Sequence, residues 1–62
     1  MFAVLVRENG KLLGRLTPEG GTTNRNIFAA MLTKEQADKI SADINSGNGN
    51  LVDGLSAKVI KF

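Results

Sequence analysis

The chain predicts an α+β domain: a small, mainly antiparallel sheet, built in the order hairpin, strand, helix, strand, with one helix packed on one face. Three observations carry this. An Asn9-Gly10 pair sits between two short apolar runs. A hydroxyl-led helix start at Thr33 has apolar residues at helical spacing behind it. The chain closes on an extended segment, Ser56–Phe62. At 62 residues this is one domain, spanning residues 1–62.

Phe2–Arg7 is short, apolar and partly β-branched, which predicts a strand. Glu8-Asn9-Gly10-Lys11 follows. Asn-Gly is the strongest short hairpin signal, because a type I′ turn needs positive φ at both central residues. Lys11–Leu16 is then the return strand. An unbroken two-residue-loop register sets Glu8 opposite Lys11, Val6 opposite Leu13, Leu5 opposite Gly14 and Val4 opposite Arg15. One hairpin face then carries Phe2, Val4, Val6, Leu13 and Arg15, and the other Ala3, Leu5, Leu12, Gly14 and Leu16. Neither is polar, whereas a sheet covered on one side alternates cleanly.

Residues 17–25 read as a loop, punctuated by Pro18 and Gly20-Gly21. Asn26–Met31 resumes an extended pattern and predicts the third strand, although Ala and Met are poor strand formers. An earlier start of the helix is the rival reading of that stretch. Thr33-Lys34-Glu35-Gln36 has the form of a capping box and predicts a helix over Lys34–Ser46. Ala37, Ile40, Ser41 and Ile44 make its inner face, Lys34/Asp38 and Glu35/Lys39 pair on its outer faces, and Gly47 suits the left-handed position after its end. Asn48–Gly54 is a second loop, interrupted by Leu51 and Val52. Ser56–Phe62 is the last strand, and the pattern leaves its direction open.

Composition excludes several functions. Cys and His are both absent, which removes disulfides, zinc-finger-type sites, thiol nucleophiles and His-based acid–base chemistry. The six acidic residues sit at turns, in a loop and on the helix, not paired for general acid–base work. Gly20-Gly21-Thr22-Thr23 lacks the spacing of a phosphate-binding loop and leads to no helix start. The chain is therefore read as a non-enzyme without cofactor or metal. Its apolar run Phe2–Val6 falls far short of the roughly 20 residues of a membrane span.

Net charge is +2, with basic and acidic residues well mixed. Nucleic-acid binding is the alternative reading, weakened by the absence of Tyr and Trp and by three phenylalanines that read as core. The main reading is protein contact. One short helix covers one sheet face, apolar residues fall on both, and a domain this small is marginal alone. That predicts a partner protein or a twofold homodimer through the sheet face or an edge strand, burying ~800 Å² per partner. A fold-over of the loops, with Leu51 and Val52, is the monomeric alternative. The candidate contacts are Arg15, Val4, Leu13, Leu51, Val52 and Phe62.

The layout resembles that of very small proteins encoded by bacteriophages and other mobile elements. These pair an N-terminal hairpin with a later T-K-E-x-A-type helix and a final strand. The matching pieces here are Phe2–Leu16, Thr33-Lys34-Glu35-Gln36-Ala37 and Ala57–Phe62. The resemblance implies a protein that binds and inhibits a host protein, such as a polymerase or a defence nuclease, in the bacterial cytoplasm.

Overall fold

A computed structural model describes residues 1–47 and 54–62. Four strands, β1 (Phe2–Glu8), β2 (Lys11–Leu16), β3 (Thr22–Thr23) and β4 (Leu55–Lys61), form one sheet in the order β3-β2-β1-β4, with every neighbouring pair antiparallel. One helix, α1 (Lys34–Asn45), packs on β1 and β4. The fold is thus the small α+β architecture that the sequence predicts, and the last strand runs antiparallel beside β1.

The local signals fold as their chemistry requires. Asn9 and Gly10 both take positive φ, 50° and 83°, as a type I′ turn demands. The Thr33 hydroxyl accepts from the Gln36 N–H at 3.2 Å, and the Gln36 carboxamide accepts from the Thr33 N–H at 3.0 Å, which completes the capping box. Gly47, just past the helix, has φ 81°. Lys34 and Asp38 pair at 3.1 Å on the solvent side. Glu35 and Lys39 form no ion pair among the described residues.

Two expectations are corrected. Asn26–Met31 is not a strand. Asn26–Phe28 is a single 3₁₀ turn, and the chain then runs extended, with the Ala30 N–H donating to Leu16 O and Leu32 exchanging two hydrogen bonds with Phe2. Leu32 thus fills the place beside β1 where β2 has already ended, and the segment serves as the way from the outer edge of the sheet to the helix. The third strand is Thr22–Thr23, inside the expected loop, on the outer side of β2.

The second correction is the hairpin register. Arg7 faces Leu12 as expected, but Val6 faces Gly14 and Leu5 faces Arg15, so Leu13 is an extra residue and β2 carries a bulge. Gly14 sits beside the bulge with φ 132°. Side chains alternate along a strand, so one inserted residue inverts everything after it. Leu16 turns toward α1 and Arg15 turns away from it.

The core lies between sheet and helix. Val4, Val6 and Ala37 are its buried centre, surrounded by Phe2, Leu16, Leu32, Ile40, Ile44 and Val59 among others. On the β4 edge, Asn45 of α1 acts as a piece of strand. Its carboxamide oxygen accepts from the Ala57 N–H at 2.8 Å, and its amide nitrogen donates to Ala57 O at 3.1 Å. Ser41 adds a hydroxyl donor to the same carbonyl at 3.3 Å. Val59 and Lys61 present their peptide groups on that same edge, where no backbone bond from another described element reaches them.

Candidate functional site

The sheet face away from the helix is built from alternate residues of β1 and their cross-strand neighbours. Leu5 is its centre. Arg15 of β2 lies opposite Leu5 on one side and Lys58 of β4 on the other. Two residues along β1, Arg7 lies between Leu12 and Ser56. Arg15 also has Thr23 of β3 as its outer neighbour. At about 4.8 Å between strands and 3.4 Å per residue, Arg15 and Lys58 start about 10 Å apart at the backbone, and Arg7 about 7 Å from Leu5 along β1.

The opposite end of this face is apolar. Ala3 pairs with Ile60, and the Phe62 N–H donates to Met1 O, which continues the ladder by one residue. Ala3 is buried and Ile60 half-buried, whereas Phe62 remains 43% exposed and Met1 60%. The face therefore has a basic end and an apolar end.

Its charge is one-sided. Arg7, Arg15 and Lys58 stand on it, and no Asp or Glu of the described residues does. Glu8 pairs with Leu55 and Lys11 on the helix side, Glu19 lies in the loop between β2 and β3, and Glu35, Asp38 and Asp43 are on α1. A chain of net charge +2 thus places three cations on one surface, and the Asp and Glu side chains of its described residues lie elsewhere. Hydroxyls accompany the arginines: Ser56 is the cross-strand neighbour of Arg7, and Thr23 that of Arg15. Among the described residues no group of three or more Asp and Glu side chains is placed to hold a metal ion, and no helix is long and apolar enough to cross a membrane.

The six expected contacts divide. Arg15 lies on the helix-free face, half-buried beside Leu5, and not with Val4 and Leu13 as the unbroken register required. Arg7 and Arg15, expected on opposite faces, share one. Phe62 is exposed on that same face. Leu13 is the bulge residue, 40% exposed. Val4 is 0% exposed beneath the helix, so it belongs to the core and is no contact. Leu51 and Val52 lie outside the described residues.

Sequence reasoning missed two members of the face, Arg7 and Lys58, as companions of Arg15. The signal that would have joined them is Gly14, because an isolated glycine inside a strand pattern marks a bulge. It also placed Phe28 and Phe62 in the core, where both are in fact exposed. Ile27 and Phe28, in the 3₁₀ turn, and Met31 just after it are further exposed apolar residues.

No protein-family model, no curated protein and no solved structure matches this chain.

Proposed function

We propose that this chain is a non-enzymatic binding domain that works by non-covalent contact through its helix-free sheet face, and that its partner is anionic there. The observation that carries the reading is the placement of Arg7, Arg15 and Lys58 on one face with no Asp or Glu of the described residues beside them. Complementary potential steers association and rejects partners of like charge. Two occupants meet that requirement: an acidic protein surface, which is what a phage-type inhibitor of a host protein would engage, and a nucleic-acid backbone.

The same charges argue against self-association by this face. Two copies face to face would set six cations against one another with no Asp or Glu side chain of the described residues between them, and like-charge juxtaposition costs several kcal/mol. The β4 edge beyond Ala57, at Val59 and Lys61, is the better place for a homodimer, because no helix side chain closes it.

Amide NMR titration with inorganic polyphosphate tests the reading. Shifts are expected on Leu5, Arg7, Arg15 and Lys58. Shifts confined to α1, where Lys34 and Lys39 also offer positive charge, or no shifts at all, would remove the face from the function.

A further inference from the structure

Resting on that contact-face reading, we propose that the occupant of the helix-free face is single-stranded nucleic acid, with the backbone on the basic end and an unstacked base on the apolar end. Three features separate this occupant from an acidic protein. The first is sign purity. A protein surface is a mosaic of charges, and interfaces between proteins fix register by placing both signs; a face of three cations with no described Asp or Glu side chain matches a polymer that carries one sign at every repeat.

The second is donor chemistry. Phosphate oxygens are held by Arg and Lys together with Ser and Thr hydroxyls. Here Arg7 stands beside Ser56, and Arg15 beside Thr23. The Thr23 hydroxyl oxygen accepts from the Arg25 N–H at 3.2 Å, which leaves its proton free to donate.

The third is the apolar end. Phe62 keeps 43% of its surface exposed, and Ile60 lies between it and Lys58 on the same side of β4. Positions two apart on a strand are about 7 Å apart, so the ring and the ammonium are separated by about 14 Å of backbone, which long side chains shorten. An aromatic ring beside a cationic track is how a strand is bound without sequence readout. A duplex keeps its bases stacked inside and has nothing to set on that end, which selects the single strand.

The test is fluorescence anisotropy with a labelled 15-mer of thymidine, run over a salt series beside two competitors: a polyglutamate peptide of equal charge, and a DNA duplex. Three backbone contacts on a single strand give a slope of about −2 in log K against log salt, or about a 20-fold loss of affinity between 50 and 200 mM. Arg7→Gln, Arg15→Gln and Lys58→Gln should each flatten the slope by about 0.7 and weaken binding about eightfold at 50 mM salt. Phe62→Ala should weaken it about fivefold or more with the slope unchanged. Lys39→Gln, on the helix, should change neither quantity. Thermal melts of each variant confirm that it is folded, and the wild-type slope needs no variant.

Each contrary result is decisive. If polyglutamate binds as tightly as the oligonucleotide through the same three cations, the nucleic-acid assignment falls and the anionic contact face stands. If the duplex binds as tightly as the single strand, the strand selectivity falls. If neither polymer binds at 50 mM salt, or if binding is indifferent to all three cations, both proposals fall together.

Discussion

Gly14→Ala is expected to be far more damaging than the same change at Gly10, although both glycines take positive φ. At Gly10, φ is 83° and an added Cβ meets nothing within 4 Å, so the cost is backbone strain alone, about 1 kcal/mol. At Gly14, φ is 132° and the Cβ would stand 2.6 Å from the Thr23 carbonyl oxygen and 2.9 Å from its carbon. Neither is the movable end of a side chain. The β2 and β3 backbones must part, which gives up the pairing of Arg15 with Thr23 and Leu16 with Thr22. Two ladder hydrogen bonds at about 1 kcal/mol each, added to similar strain, make about 3 kcal/mol. In a domain of this size about 1 kcal/mol moves the melting temperature by 4–8 °C, so the two variants should melt roughly 10–15 °C apart. Far-UV circular dichroism on heating reads this directly. If they melt together, the close approach of β3 to Gly14, and with it the described course of the bulge, is wrong.

Other variants probe separate parts of the fold. Thr33→Ala removes the capping hydroxyl and should cost about 1 kcal/mol in urea unfolding, with an unchanged m-value; no loss would mean that the capping box is idle in solution. Asn45→Ala breaks both hydrogen bonds to Ala57 and should cost about 1–2 kcal/mol, with the Ala57 amide gaining hydrogen exchange well ahead of the centre of β1. Ala37→Leu forces a large side chain between the helix and Val4 and Val6, and should destabilise by about 1–3 kcal/mol; a neutral result would show a void there. For self-association, sedimentation equilibrium should find a dimer that Val59→Pro disperses and that Arg15→Gln does not weaken; a monomer at all concentrations would remove the edge proposal.

What was legible in the sequence is what lies within a few residues of its own cause. Asn9-Gly10 specifies its turn through two φ angles, and Thr33 with Gln36 specifies the helix start through two hydrogen bonds. The segment that misled was Asn26–Met31. Ile27, Ala29 and Met31 on one side with Phe28 and Ala30 on the other look like a strand, yet Ile27, Phe28 and Met31 are exposed, and Ala29 and Ala30 are the buried residues. Tertiary routing decides that segment, because it must carry the chain from the β3 edge to the helix start. β3 escaped notice because two residues carry no period. The candidate face was illegible for one reason: strand parity survives only as far as the first bulge. Leu13 moved Arg15 from the core side to the side of Leu5, and the grouping of Arg15 with Arg7 and Lys58 became visible only with the register.

The Asn45 carboxamide has a wider consequence. A side chain that mimics a peptide unit occupies β4 at Ala57, so a foreign strand cannot pair along the whole of that edge and is confined to the short stretch at Val59 and Lys61. Recognition by main-chain pairing is indifferent to side-chain identity; recognition from a sheet face depends wholly on it. The proposed contact face would be of the second kind, and the short open edge at Val59 and Lys61 of the first. Its solvent-facing positions can then vary in sequence, and so change what is bound, while the packed layer beneath the helix stays the same. For a 62-residue chain with little core to spare, a helix-free face that carries no part of the core beneath the helix can be substituted without unfolding the domain, which is what the proposed contact face requires.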